Sequence, residues 1–511
     1  MVASLEKLSV DDTKRPDSLA DQKIEEVSDS ANSVKTDILD SPNALAEVKR
    51  AVRRIDLAIV PIMTMFYLLS FLDRANIGNA RVAGLQKGLG ITDRQYSICI
   101  TITYIPYVLS EIPSNLLMRK IGPNIAMPAI LTIWGIIVTL QGLVSSFAGL
   151  ATARFFLGLV EGPMFPGIVL YLSGFYTREE LSLRIAFFFS AASLSGAFSG
   201  LLAAAISNMH GVGGKPAWSW IFILEGLFTI CFGVSSFWFV PQTPRHAKFL
   251  SDHEKDLVMA RLERDRPFIN PLDSFSLKYV AQSLTSPHVI LVFIAYFMSG
   301  TNLFGLALFL PSIVNQLGNS PNKSQLLSVG PFAAAFVLTI IVSFISDRIK
   351  NRVIPVCTVA LVAVAGYAMY LASHTKHTAY GALYLMVPGV YTSTPVIAAW
   401  LANNSEPHYV RATTIAAGFM ATNIGGILST WRYPTKEGPR FRKTTIMNLV
   451  FQLGIILLSL INAAYLHYQN KQKKQNRAKL LAPYDNSKET DGGVQAWVDL
   501  GDRHPDFHYI L

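Results

Sequence analysis

Charged side chains are scarce in this sequence. Asp, Glu, Lys and Arg make up 15% of its 511 residues, whereas hydrophobic residues make up 51%. Soluble proteins carry about a quarter charged residues. This shortage, spread over long apolar runs, indicates a membrane protein. The net charge of +10 therefore does not predict nucleic-acid binding, because membrane proteins concentrate Lys and Arg in cytosolic loops.

Cysteine is nearly absent, and so are the patterns that carry enzyme chemistry. Cys99, Cys231 and Cys357 each lie in an apolar stretch, which argues against a disulfide framework and favours small buried side chains. No nucleophile motif or metal-ligand cluster is evident, so we expect no cofactor and no enzyme activity. The first fifty residues are polar and lack the apolar core of a cleavable signal peptide.

Twelve apolar segments are long enough to cross a bilayer, which takes about 20 residues each. They form two groups of six, at 55–76, 96–117, 124–145, 147–171, 184–207 and 218–240, and at 288–314, 326–346, 353–373, 379–402, 412–432 and 445–468. We predict an all-α polytopic membrane protein with two pseudo-symmetric six-helix halves, as in the major facilitator fold. Its expected divisions are a disordered cytosolic tail (1–54), an N-terminal bundle (55–240), a central loop (241–286), a C-terminal bundle (287–468) and a cytosolic tail (469–511).

Basic residues predict the orientation. Most Lys and Arg flank the chain ends, the central loop and the even-to-odd helix connections, so both termini should be cytosolic. Ser251 and Glu254 form a capping box that predicts a short amphipathic helix in the central loop. Asn322 heads a glycosylation sequon on the expected outer side, but its closeness to helix 8 argues against modification.

Six charged residues fall in the interiors of the predicted spans, and all belong to the N-terminal half: Asp73, Arg74, Glu111, Arg154, Glu161 and Glu225. Burying a charge at the bilayer centre costs about 2.5–3.5 kcal/mol, so each marks a functional candidate. The C-terminal spans offer neutral polar groups instead, including Asn302 and Asn423. Charge handling is therefore predicted for the N-terminal half, and ligand shaping for the C-terminal half.

Spacing suggests how these charges meet. Glu161 follows Arg154 by seven residues, about two helical turns, so the two should face one cavity at two levels. Asp73 and Arg154 should lie at similar depth and could pair. Asp73 and Arg74 point about 100° apart, so at most one faces the cavity directly. A structural ion-pair network between helices 1 and 4 is the alternative reading, and Glu111 and Glu225 favour such a structural role.

Several segments resemble the anion:cation symporter family of the major facilitator superfamily. Segment 71–80 (FLDRANIGNA) resembles the end of its helix 1, and segment 154–167 (RFFLGLVEGPMFPG) its helix 4 signature. Segments 111–115 (EIPSN) and 220–226 (WIFILEG) resemble the fungal allantoate permease branch. The end of the chain, 502–509 (DRHPDFHY), is similar to tails of that branch.

The resemblance implies a role for each matching residue. It makes Asp73 and Glu161 proton-coupling acids, and Arg74 and Arg154 substrate-binding arginines. Tyr107 matches a cavity tyrosine, whereas Asn302 and Asn423 are substrate-binding candidates by placement alone. Asp347 and Arg348 match a superfamily loop motif and join the structural charges; the counterpart between helices 2 and 3 lacks its acid.

The function that follows is proton-coupled symport of a small organic carboxylate resembling allantoate, nicotinate, pantothenate or biotin. Buried carboxylates can carry protons, and arginine grips carboxylates through two parallel hydrogen bonds. An antiporter that exports an anionic metabolite and a nutrient sensor built on a transporter fold remain alternatives. We expect a plasma-membrane monomer whose partners are substrate, protons and lipid, with no nucleic acid.

Overall fold

Twelve long helices make up most of the part of the chain that the structure describes. The computed structural model describes residues 44–265, 281, 284–405, 408–484, 496 and 500–511. The helices are α1 Ala44–Val82, α2 Asp93–Ile121, α3 Pro123–Gln141, α4 Phe147–Ser173, α5 Arg178–Ile206, α6 Ala217–Phe239, α7 Pro287–Gln316, α8 Pro321–Ile349, α9 Val353–Ala372, α10 Lys376–Asn403, α11 His408–Thr430 and α12 Arg442–Gln475. Ten of them, all except α2 and α11, are long and apolar enough over their described residues to cross a membrane.

Local sequence signals begin these helices. Thr92 and Gln95 close a capping box at the start of α2, and the Ser146 hydroxyl caps α4. Ser286 and Ser320 cap α7 and α8, each followed by a proline at the first helical position. A hydroxyl that accepts an N–H bond satisfies one of the unpaired amides of the first turn, and proline has no N–H to lose there.

The two halves repeat one packing pattern. In the N-terminal half α1 packs on α5, α2 on α4 and α3 on α6. The corresponding pairs of the C-terminal half, α7 with α11, α8 with α10 and α9 with α12, pack in the same way. The halves meet through α1 with α7, α5 with α8 and α2 with α11. This exchange symmetry matches the predicted division into two six-helix bundles.

The ends of the bundle differ from the expected tails. We call the end that carries Ala44 and Leu511 the tail side, and the opposite end the loop side. Residues 44–54, expected to be disordered, are the first turns of α1, and α12 runs on to Gln475, beyond the expected 468. The rest of the expected N-terminal tail, residues 1–43, lies outside the described residues.

The end of the chain is bound to the bundle rather than free. The side chain of Asn404 bonds both backbone groups of Ile510, at 2.8 and 2.9 Å. Asn470 holds the N–H and C=O of Tyr509 in the same way, each at 2.9 Å. Tyr509 is buried in an apolar cluster with Trp400, whose indole N–H donates to the Ile510 carbonyl at 2.9 Å.

The central segment contains the predicted amphipathic helix, Asp252–Asp265. Its capping box is present, since the Glu254 carboxylate accepts from the Ser251 N–H and the Ser251 hydroxyl accepts from the Glu254 N–H. Arg54 of α1 pairs with Glu254 at 2.7 Å and holds this helix on the tail side. Asn322 lies in the first turn of α8 rather than in a loop.

The halves are closed together on the loop side. A Cβ at Gly78 would lie 2.2 Å from the carbonyl oxygen of Leu308, so α1 and α7 cross with their backbones almost touching. Asp93 accepts hydrogen bonds from both the N–H and the hydroxyl of Thr435, at 3.0 and 2.9 Å. The Ser97 hydroxyl donates to the Thr430 carbonyl at 3.1 Å. These contacts join α2 to the end of α11 and seal this face.

Candidate functional site

A narrow cavity lies between the halves at mid-bundle. The N-terminal half lines it with Tyr67, Ser70, Phe71, Arg74, Tyr107 and Phe165. The C-terminal half lines it with Leu303, Phe304, Thr394, Phe419, Thr422 and Asn423. Its free space is about 20 Å³, room for one or two water molecules. A larger ligand can enter only when the halves move apart.

A break in α4 positions the acid of this site. The helix is interrupted after Glu161 at Gly162 and Pro163, because proline cannot donate the next helical hydrogen bond. A Cβ on Gly162 would lie 2.5 Å from the carbonyl oxygen of Tyr107 and 2.3 Å from the hydroxyl of Ser110. Only glycine permits this approach of α4 to α2, which brings Glu161 beside the cavity residues of α2.

Arg74 and Glu161 form an ion pair at the cavity wall. A carboxylate oxygen of Glu161 accepts a hydrogen bond from Nε of Arg74 at 2.7 Å, and Nη2 of the same arginine lies 2.7 Å from that oxygen. The Ser70 hydroxyl, one turn before Arg74, donates to the same oxygen at 2.7 Å. The Glu161 side chain is 1% exposed and the Arg74 side chain 12% exposed, so the arginine is the more accessible partner.

Aromatic rings surround the Arg74 guanidinium. Its central carbon lies 5.3 Å from the Phe71 ring centroid, 4.8 Å from that of Tyr107 and 5.5 Å from that of Phe304. A cation within about 6 Å of a ring face is attracted to it. Phe304 belongs to α7, so one positive charge contacts rings from both six-helix bundles.

Asp73 and Arg154 lie away from this cavity, inside the N-terminal bundle. Both are 3% exposed, and neither lines the cavity. Within the described residues they form no ion pair at 4 Å or less, although their charges interact. Glu161 does not line the cavity either, but it pairs with Arg74, which does, so the predicted common cavity for Arg154 and Glu161 is not seen in this conformation. The Arg154 side chain lies beside the Phe222 ring of α6, 5.9 Å from its centroid.

Neighbouring residues of a helix point about 100° apart. For this reason Asp73 of α1 points into the bundle while Arg74 lines the cavity. Arg154 lies two turns before Glu161, where the same face of α4 has passed from the cavity into the bundle. Trp134 and Asn76 lie within interaction range of the Asp73 carboxylate, but neither of its oxygens accepts a hydrogen bond of ordinary geometry from the described residues.

The remaining charges lie in different places. Glu225 is buried in α6 within electrostatic reach of Asp73. Glu111 is buried in α2, and its charge interacts with that of Arg74. Asp347 pairs with Arg352 at 2.6 Å on the tail side, whereas Arg348 is exposed.

Only one of the two asparagine candidates reaches the cavity. Asn423 of α11 lines it. Asn302 is fully buried in α7, where its Nδ2 donates to the Met298 carbonyl at 2.9 Å. Asn302 does not line the cavity, so its proposed contact with substrate has no support in this conformation.

Several lining residues were not predicted. Tyr67, Ser70 and Phe71 precede Arg74 by seven, four and three residues, which places all four on one face of α1. That spacing could have identified them from Arg74 alone. Thr422, next to Asn423, and the aromatic residues Phe304 and Phe419 carry no comparable signal, because rings in apolar helices usually pack in the core.

Known proteins share this architecture. The model of the Major Facilitator Superfamily matches residues 63–430. A high-affinity nicotinic acid transporter of Saccharomyces cerevisiae is 30% identical, with 94% of this chain and 88% of the relative covered. An uncharacterized transporter of Schizosaccharomyces pombe is 33% identical over 90% of this chain and 89% of its own length.

Solved structures agree on the fold. A bacterial homolog of the human lysosomal transporter Spinster, in an inward-facing and occupied conformation, has a TM-score of 0.62 at 13% identity, and 80% of this chain and 96% of that one are covered. A D-xylose–proton symporter has a TM-score of 0.59 at 14% identity, covering 78% and 97%. The chain is therefore an integral membrane transporter, not an enzyme, and it belongs to the Major Facilitator Superfamily.

Proposed function

We propose that the protein is a proton-coupled symporter of a small organic carboxylate. The observation that carries this proposal is the ion pair of Arg74 and Glu161 at the cavity between the halves. An arginine at the wall of a central cavity fits an anionic substrate. A carboxylate that competes for the same guanidinium supplies a place for the proton.

Glu161 and the substrate carboxylate compete for Arg74, and this competition couples proton binding to substrate binding. While Glu161 is ionised, it occupies Nε and Nη2 of the arginine. A proton on Glu161 removes that charge, and the guanidinium fork becomes available to a substrate carboxylate. Proton and substrate then favour the same state, since each stabilises the binding of the other. Asp73 is proposed as a second proton site, with Arg154 as its buried counter-charge rather than as a direct substrate ligand.

The cavity walls favour a flat substrate. The rings of Phe71 and Phe304 are nearly parallel, with centroids 6.4 Å apart, and Phe165 approaches Phe419 at 4.0 Å between centroids. Rings contributed by both halves can hold an aromatic or otherwise planar acid while Asn423 and Thr422 offer hydrogen bonds. The nicotinic acid transporter among the relatives supports a heteroaromatic carboxylate ahead of an aliphatic one.

The closed loop side indicates the direction of access. If both termini are cytosolic, as the basic residues predict, the structure represents a state closed to the outside. The cavity must then open toward the loop side to receive substrate and toward the tail side to release it. We propose uptake across the plasma membrane by a monomer that alternates between these states.

Transport in proteoliposomes tests the proposal. With an inward proton gradient, the wild type should accumulate a labelled carboxylate from a panel of nicotinate, pantothenate, biotin and allantoate. Arg74→Ala should abolish uptake, because no other described basic residue lines the cavity. Glu161→Gln should lose accumulation driven by the gradient but retain exchange of substrate for substrate.

Arg348→Ala, an exposed change on the tail side, is the matched control and should transport normally. Normal gradient-driven uptake by Arg74→Ala would remove the arginine from the substrate site. Accumulation driven by an outward proton gradient would replace symport by antiport.

A further inference from the structure

A second cavity lies on the tail side, remote from the transport pathway. It has a volume of about 570 Å³, within the range of about 300–1,000 Å³ typical of small-molecule sites. Three parts of the chain enclose it: the start of α1, the junction of α4 and α5, and the central helix Asp252–Asp265. The central transport cavity shares no lining residue with it.

Positive charge dominates this cavity. Its lining includes five basic side chains and two acidic ones, namely Lys49, Arg53, Arg184, Arg261 and Arg264 with Asp56 and Glu180. The acids are already engaged, because Asp56 pairs with Arg184 and Glu180 with Arg261. Lys49 and Arg53 therefore add two positive charges beyond these ion pairs. A cavity with such an excess attracts a multiply charged anion.

The floor of the cavity is held in place before any ligand binds. Arg184 contacts both carboxylate oxygens of Asp56, at 3.0 and 2.7 Å, and lies 4.8 Å from the centroid of the Tyr176 ring. Arg261 donates to Glu180 at 2.8 Å and to the Phe175 carbonyl at 3.1 Å. Side chains fixed in this way lose little conformational freedom when they bind a ligand.

The rim of the cavity is formed by Lys49 and Arg53, which lie one turn apart on α1. Unlike Arg184 and Arg261 on the floor, both are exposed. Neither makes an ion pair with any residue that the structure describes. Leu57, one further turn along the helix, is 71% exposed, as expected for a side chain that faces lipid. The basic rim therefore lies about 6 Å along the helix from the apolar surface.

We propose that this cavity binds a phosphate-rich anionic group, as carried by the headgroup of a phosphoinositide. Guanidinium and ammonium groups are the protein groups that best match phosphate oxygens. Leu45, Val48 and Val52 supply an apolar wall on the same cavity, which suits a headgroup attached to acyl chains. Basic pockets at the membrane surface bind such headgroups. The bound group would tie α1 to the central helix and the α4–α5 junction.

Thermal unfolding of the purified full chain tests the site and its source of phosphate. One arm uses phosphatidylcholine nanodiscs with and without phosphatidylinositol 4-phosphate, and the other adds soluble inositol hexakisphosphate to nanodiscs of phosphatidylcholine alone. A ligand that binds only the folded state should raise the unfolding temperature by a few degrees at saturation. A rise in the first arm alone assigns the site to lipid, and a rise in the second shows that the soluble group suffices.

Charge variants assign any such effect to this cavity. Lys49→Gln with Arg53→Gln should weaken binding by at least about tenfold, and Lys49→Glu with Arg53→Glu should abolish it. Arg348→Gln with Lys350→Gln removes the same charge from exposed tail-side positions that do not line the cavity, so it should bind like the wild type. The proposal is wrong if neither ligand shifts the wild type, or if both double-glutamine variants respond alike.

Discussion

At the scale of single residues, two neighbouring side chains of α1 serve different surroundings. Arg74 lies in an aromatic cage at the central cavity, whereas Asp73 is buried in the bundle beside Trp134 and Asn76. Arg154 is the basic group whose charge acts on Asp73. Its Nε and Nη2 have no hydrogen-bond partner among the described residues, so charge attraction and the nearby Phe222 ring hold it.

Arg154 and Asp73 should therefore depend on one another for stability. Arg154→Gln removes the positive charge that acts on the buried Asp73 carboxylate, and we expect a cost of about 1–3 kcal/mol, the range for leaving a buried polar group uncompensated. Its unfolding temperature should fall well below that of the wild type. Adding Asp73→Asn removes the orphaned charge and should recover part of the loss. Thermal unfolding of both single variants and the double variant measures the coupling.

The comparison has a clear control. Arg74→Ala also removes an arginine, but from a partly accessible cavity wall, so it should lose less stability than Arg154→Gln. If the losses of Arg154→Gln and Asp73→Asn simply add in the double variant, the two charges do not interact and the proposed counter-charge role fails.

At the scale of elements, the last residues of the chain behave as an added segment of the C-terminal bundle. Asn404 at the end of α10 and Asn470 in α12 each satisfy both backbone groups of one residue. The backbone N–H of Arg352, between α8 and α9, donates to the Leu511 carbonyl at 2.5 Å. The final segment thus joins three helix ends on the tail side.

Removing these amide contacts should loosen the tail side without affecting the cavity. Asn404→Ala with Asn470→Ala deletes four hydrogen bonds, each worth on the order of 1 kcal/mol. We expect a lower unfolding temperature and faster proteolytic loss of the last residues. Substrate affinity should remain unchanged, because neither asparagine lines the cavity.

Asn476→Ala, which removes an exposed side-chain amide whose hydrogen-bond partner among the described residues is Gln472, is the matched control. Equal proteolysis of the wild type, the double variant and this control would show that the end of the chain is not held by Asn404 and Asn470.

At the scale of the whole molecule, closure on the loop side depends on a close helix crossing. Gly78 faces the Leu308 carbonyl, with space for a hydrogen but not for a methyl group. Phe71 and Phe304, about two turns further toward the centre, stack across the same pair of helices. The two halves can therefore close here only while position 78 lacks a side chain.

Gly78→Ala should hold the protein open on the loop side. The added methyl group would lie 2.2 Å from a backbone oxygen, which cannot move without shifting α7. Transport should be lost, while an impermeant maleimide added from the loop side should label a Thr422→Cys reporter faster than in the parent protein. Both measurements use a background without the three native cysteines.

Gly381→Ala provides the control, since its added methyl group would meet Met369 at an ordinary 3.5 Å. It should transport and label like the parent. Unchanged transport by Gly78→Ala would show that the transport cycle does not require this crossing.

The sequence by itself determined the class of the protein and its charged candidates. Helix number and the two-half division follow from apolar run length, because a bilayer demands about 20 residues per crossing. Intramembrane charges stand out for the same reason, since each is costly to bury. The capping box of the central helix is likewise a local signal, and the structure contains it.

Which charges meet depends on how the helices pack. Arg154 and Glu161 are seven residues apart on one helix, yet Arg154 lies beside Phe222 in the bundle and Glu161 pairs with Arg74 at the cavity wall. Contacts between distant segments, such as Phe304 with Arg74 or Asn404 with Ile510, depend on how helices pack. No local pattern encodes that packing, because its energy comes from surfaces that meet only when the halves and the chain end assemble.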